Sequence, residues 1–252
     1  MHHRSLLVSF VVVFAAVSAS AEVLFPSPIH LTRQIHDSIG GATVVVEQYC
    51  YGNRVVSANG SATSIADYGT NELTEIDREE GTYSVTRFDD VAKALRVGGP
   101  VEQPKAEWKV KSSGLQQLRT NRASDAVEAE LDEGTTKRQT RVAVDRSVSL
   151  SKDALDVLIG AAYPNNRKAE DSVVLQAAKG QSAFALPVEQ HTTFLIGDDR
   201  AEIRDVVLRV GNELVPADLI AIPPDAKLVE SRLLQRMHAI EQLESAGRTQ
   251  RH

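Results

Sequence analysis

Residues Thr43–Phe88 read TVVVEQYCYGNRVVSANGSATSIADYGTNELTEIDREEGTYSVTRF. Short β-prone runs alternate here with Gly, Asn, Asp and Ser turns at the spacing of an antiparallel meander. Gly52-Asn53 and Asn59-Gly60 are hairpin turn signals. In Val44–Tyr51, Val44, Val46 and Cys50 fall on one side, and Val45, Tyr49 and Tyr51 on the other. Both sides are apolar or aromatic, so this strand is expected to be covered on both faces. Arg54–Ser57, Ala62–Tyr68, Glu72–Asp77 and Thr82–Thr86 continue the meander, with Tyr83 and Val85 sharing a face.

Upstream, Leu31, Ile35 and Ile39 recur every four residues, the spacing of one helix face. A short helix ending at Gly40-Gly41 is expected there. The first residues have the three parts of a secretory signal. Met1–Arg4 is a basic start, Leu6–Val17 an apolar core too short to span a bilayer, and Ala19-Ser20-Ala21 a cleavage site. We expect residues 1–21 to be removed, with no membrane span left after cleavage, and an exported, periplasmic or secreted, soluble chain to remain. Glu22 rather than Cys follows the cut, so the new N-terminus offers no thiol for a lipid.

The 252 residues carry a formal net charge of −6. An acidic chain lacks the footprint for nucleic acid or anionic lipid. One cysteine, Cys50, excludes an internal disulfide. A hydrophobic core must therefore hold the domain, and about 230 residues can bury enough apolar surface to supply one.

Downstream, Asp89–Val97 reads as a short helix and Val101–Ala106 as a linker. Glu107–Ser113, Ala126–Leu131 and Arg141–Leu150 alternate apolar and polar, as strands with one wet face do. Arg146 interrupts the last and is expected at the sheet edge or reaching out to water. Ser151 caps a helix over Lys152–Ala162, and Arg167–Lys179 is a weaker second helix. Strands are expected at Ala183–Leu186, Val188–Ile196, Ala201–Val210 and Leu214–Ile222. The fold expected is α+β: one exported domain over 22–246, built of two β-rich halves (43–97 and 107–222) and a C-terminal helix (225–246). That helix carries Val229, Leu233, Met237 and Ile240, and 247–252 form a polar, disordered tail.

The turn Gly52-Asn53-Arg54-Val55, the strand Ile65–Tyr68 and the pair Glu75-Ile76-Asp77 … Thr82-Tyr83-Ser84-Val85 carry a resemblance. So does Pro216-x-Asp218-Leu219-x-x-Ile222-Pro223. The pattern is similar to uncharacterised exported bacterial proteins related to the periplasmic lipoprotein-carrier superfamily. The resemblance covers 43–88 and, more loosely, 201–230. It implies a strongly curved antiparallel half-barrel with helices on the concave face, and a cup that holds acyl chains. The family has no catalytic residues to carry over.

Few residues suggest chemistry. Cys50 with His36 could form a nucleophile and base, but Cys50 shares a face with Val44 and Val46, as a packed cysteine would. His30, His36, His191 and His238 lack zinc-ligand spacing. Asp198, Asp199 and Glu202 lack the spacing of a calcium loop, and Gly197-Asp198-Asp199 is a hairpin turn in its own right. Asn59-Gly60-Ser61 matches a glycosylation acceptor but serves as a turn. We expect no catalytic residue, metal or cofactor. The function expected is a non-enzymatic carrier of a lipid or lipoprotein acyl chain, with Tyr83, Val85, Trp108 and Val110 lining the cup. The alternative is an envelope scaffold or interaction module that binds an envelope protein through the sheet edge or the final helix.

Overall fold

The computed structural model describes residues 23–38, 40–94, 109–117, 123–132, 136–162 and 167–249. The expected signal segment, the 101–106 linker, Trp108 and the last three residues lie outside them. The first half is the expected meander, with one strand added. Strands β1 (Phe25–Asp37), β2 (Ala42–Gly52), β3 (Arg54–Asn59), β4 (Ala62–Asp67), β5 (Glu72–Asp77) and β6 (Thr82–Arg87) pair antiparallel in chain order. The second half repeats the arrangement with longer strands. These are β7 (Lys109–Gln117), β8 (Ala123–Asp132), β9 (Thr136–Leu150), β10 (Phe184–Ile196) and β11 (Asp199–Gly211). Antiparallel pairing of β1 with β11 joins the halves into one open sheet. With β12 (Lys227–Leu228) its order is β12-β6-β5-β4-β3-β2-β1-β11-β10-β9-β8-β7.

The helix expected over Leu31–Ile39 is not formed. β1 runs through Asp37, with Leu31 opposite Gln48 on one side and Val210 on the other. Leu31 and Ile35, four apart, share a face in a strand as well as in a helix, so their spacing fits both. Ladders on both sides of β1, and β-branched Ile29, Thr32 and Ile35, decide for the strand. Ser38, Gly40 and Gly41 lie in turn conformation after it, Gly41 at φ +63°, which a residue without a Cβ adopts readily.

The strand expected at Leu214–Ile222 is also absent. Pro216 and Pro223 cannot donate to a ladder, and Ala217–Ile220 form a single helical turn, α4. Arg78 holds it in place. Its guanidinium donates to the carbonyls of Asp218 (2.6 Å) and Leu219 (2.8 Å). In the second half, Ala183–Leu186 and Val188–Ile196 merge into β10, with Pro187 tolerated where the register to β9 shifts.

Helices α2 (Lys152–Ala162) and α3 (Arg167–Ala178) form as expected and pack on β8, β9 and β10. Ser151 caps α2, its Oγ accepting from the Ala154 amide at 3.1 Å. Leu155, Leu158, Val173, Val174 and Ala178 meet Val142, Val144 and Leu186 in the main core, which continues to Leu31, Cys50 and Val55. Arg146 projects from β9, a strand inside the sheet rather than at its edge. It pairs with Asp125 and reaches the carbonyls of Lys179 and Ala177, where α3 ends. A cation suits that end of the helix dipole.

The last stretch forms a strap. Residues 212–231 leave β11, place α4 against β4, and pair Lys227 and Leu228 parallel to Thr82 and Tyr83. Helix α5 (Arg232–Thr249) starts seven residues later than expected because 227–228 are drawn into this pairing. It lies beside α1 (Phe88–Ala94), with Met237 buried. No helix among the described residues is long and apolar enough to cross a membrane.

Candidate functional site

Strand periodicity puts Val46, Gln48 and Cys50 on one face of β2. The register carries that face outward without a break. Gln48 lies opposite Ser57, Ser57 opposite Ser64, Ser64 opposite Glu75 and Glu75 opposite Ser84. Five polar residues on five successive strands thus form one straight row. Ser84 Oγ donates to Glu75 Oε2 at 3.2 Å, and Gln48 Nε2 to Ser57 Oγ at 3.4 Å. At the inner end Arg33 Nη1 donates to Gln48 Oε1 at 3.0 Å, while its Nε and Nη2 clasp both oxygens of buried Asp205. A two-pronged arginine–carboxylate pair of this kind fixes orientation as well as charge.

Beside the outer part of this row the sheet and residues 229–232 do not close fully against each other. A groove of about 290 Å³ remains, with Ser57, Ser64, Glu75 and Ser84 along it, Val46 and Ala62 beside them, and Val229, Glu230, Ser231 and Arg232 on the far wall. The far wall is pinned at both ends. Val229 donates its amide to the Tyr83 carbonyl at 2.8 Å, and Arg232 pairs with Glu80 (2.8 Å) and Asp77 (3.3 Å). Hydroxyls can donate or accept, the Glu75 carboxylate accepts, and the valine and alanine side chains offer apolar contact. The groove therefore suits an elongated ligand with an apolar body and a polar end.

The opposite face of the same strands carries a tie. His30 is buried and stacked on Tyr49, with ring centroids 4.2 Å apart and planes 7° from parallel. Its Nε2 lies 2.6 Å from Glu47 and its Nδ1 3.1 Å from Glu213. Thr32 Oγ1 also donates to Glu47, at 3.0 Å. The Glu213 carboxyl is held below the usual range by its own backbone amide and by His30. The Tyr49 phenol is raised, first by burial and then by the Glu47 and Glu213 charges. This cluster anchors the start of the strap to β1 and β2.

The residues expected to line a cup are dispersed. Tyr83 borders the groove, but alternation turns its ring to the other face, together with exposed Val85. Val110 is on β7, at the other end of the strand order, and Trp108 lies outside the described residues. Cys50 is fully buried, and burial pushes its thiol up to about 12, against a smaller opposing effect from Arg33. In register it faces Ile29, whereas His36 faces Thr43 and bonds to its hydroxyl at 2.9 Å. His191 and His238 each meet a glutamate at 3.1 Å, Glu202 and Glu230 respectively. Asp198 forms the turn that Asp199 closes into β11, and Asn59-Gly60-Ser61 is the hairpin turn between β3 and β4. Among the described residues no three His, Cys, Asp or Glu side chains are placed to hold a metal ion. The sequence reading missed Gln48, Ser57, Ser64, Glu75, Ser84 and Arg232. The signal was present: one polar residue at the matching position of each short strand, visible once the hairpin turns set the register.

No family model matches the sequence, and no curated protein matches it. Among solved structures the chain is similar to one described as "Structure of PNGF-II in C2 space group", with a TM-score of 0.38 and 8% identity, over 84% of this chain and 32% of that one. The chain thus spans about a third of the length of that structure.

Proposed function

We propose that the protein is a non-enzymatic, exported binding or carrier protein whose groove holds an amphipathic ligand, a lipid or lipoprotein acyl chain. The observation that carries this reading is the groove itself: apolar side chains beside a row of serines with one carboxylate among them, and a separate chain segment along the far wall. In this reading the sheet is strongly curved, a half-barrel with helices on its concave face.

The test is mass spectrometry of solvent extracts from mature protein purified without detergent, with uptake of a fluorescent fatty-acid probe. Stoichiometric lipid, and probe uptake abolished by Ser64→Trp in a folded variant, is the expected result. A clean extract with no uptake, or uptake indifferent to Ser64→Trp, overturns it.

A second reading, an interaction module in the envelope, rests on the strap. Leu214 and Leu228 are 70% and 64% exposed, and Ile222 and Val229 are exposed beside them. Such a line of apolar side chains is what a protein partner would cover. Co-purification of a partner that is lost in Leu214→Ser/Leu228→Ser, with lipid absent, would favour this reading.

A further inference from the structure

The groove carries its charge unevenly. Glu75, Asp77 and Glu230 line it, and among the described residues Arg232 is the one arginine or lysine that does. That guanidinium is already claimed. It pairs with Glu80 at 2.8 Å and with Asp77 at 3.3 Å. It is raised above its ordinary value by Glu80 first, then by Asp77, and least by Glu75. Asp77 Oδ1 also accepts from the amides of Glu79 (3.1 Å) and Glu80 (3.0 Å), and Glu230 meets His238 at 3.1 Å.

Glu75 is placed differently. It stands within the polar row, opposite Ser64 on β4 and Ser84 on β6. Ser84 Oγ donates to its Oε2 at 3.2 Å, and among the described residues it has no ion-pair partner. Its side chain is half-buried, so a ligand in the groove can reach it. A carboxylate offers about four acceptor positions, and one neutral hydroxyl leaves most of them open. The neighbouring serine oxygens can accept as well. The group that suits this place brings several N–H donors and positive charge. A primary ammonium has three donors and no acceptor. A carboxylate would bring like charge beside Glu75 and be repelled.

On the reading of the groove as a ligand site, we propose that Glu75 is a specificity-determining residue, selecting amphiphiles with a primary ammonium end over those with a carboxylate end. The ammonium donates to Glu75 and to the Ser64 hydroxyl, and the alkyl chain runs along Val46, Ala62 and Val229.

The experiment is amide NMR of the full mature chain, titrated with octylamine and, separately, with octanoate. Ionic strength is held constant at about pH 7, where both compounds are charged. The two share a chain length, so the end group alone differs. Saturable shifts of groove amides are expected with both, and octylamine should bind roughly tenfold tighter or more. Glu75→Gln keeps the shape and should bring the two affinities together, with unchanged amide positions outside the groove as the check on folding. Glu75→Lys should turn the preference toward octanoate. Glu72→Gln removes a carboxylate from the other face of the same strand and should leave the preference intact, which separates Glu75 from the overall acidity of the chain. Equal affinities in wild type, or tighter octanoate, overturn the ammonium preference while the groove stands as a ligand site. A preference that survives Glu75→Gln overturns the role of Glu75. If neither compound shifts the groove amides, the ligand-site reading fails and this inference fails with it.

Discussion

The two halves of the sheet are built alike and finished differently. In the second half α2 and α3 bring Leu155, Leu158, Val173 and Val174 into the main core with Val142, Val144 and Leu186. In the first half β3–β6 are six-residue strands that carry serines and a glutamate on one face, with the strap and the start of α5 along the groove there. Small polar side chains leave room that apolar ones would close. One half therefore supplies stability and the other supplies space, and substitutions should separate the two roles.

The largest effect is expected in the helical half. Leu155→Ala, at a fully buried position, should cost about 2–5 kcal/mol in denaturant unfolding. A loss under 1 kcal/mol would mean that α2 is not part of the core. Next comes the seam between halves. Asp205→Ala leaves Arg33 buried without its carboxylate and should cost about 3 kcal/mol; a neutral outcome would detach the polar row from the pair that orients it. Arg78→Ala removes the donor that holds α4. It should cost about 1 kcal/mol and make 212–231 markedly more sensitive to limited proteolysis, while the helical half is unaffected.

The smallest effect concerns pH. Burial would raise the Asp67 carboxyl, but bonds from Arg54 and from the amides of Gly69 and Thr70 outweigh it and hold it low. A lowered carboxyl contributes stability above its unfolded pKa, about 3.9, and loses it as pH falls through the folded value. Wild type should therefore exceed Asp67→Asn in stability at pH 6, with the gap closing below about pH 4. A gap constant to pH 2 would show that the Asp67 charge plays no part.

The meander and the helical pair were legible because turns and amphipathic spacing are local signals. Gly52, Asn59-Gly60 and Gly81 mark the hairpins, and Ser151 marks the α2 cap. β1 was not legible, since Leu31 and Ile35 fit either period and only the distant partners β2 and β11 decide between them. The strap was missed for a related reason: Leu214–Ile222 has strand composition, but two prolines and Arg78 hold it elsewhere. The groove escaped because it depends on cross-strand register, which places Ser57, Ser64, Glu75 and Ser84 side by side although they are spread along the chain. Tyr83 stands on a strand that borders the groove, with its side chain on the other face from Ser84.

The pairing of β1 with β11 bears on the order of events during synthesis. β1 precedes nearly all of the domain and its partner β11 comes close to the end. Contacts this distant in sequence form slowly, so one flank of β1 must wait, unpaired, while most of the chain is made. An unpaired strand invites association with other chains. Arg33, Gln34, His36 and Asp37 make that waiting flank polar and charged, which discourages such pairing until β11 arrives and Arg33 meets Asp205. The ion pair at the inner end of the polar row is thus also the contact that joins the two halves of the sheet.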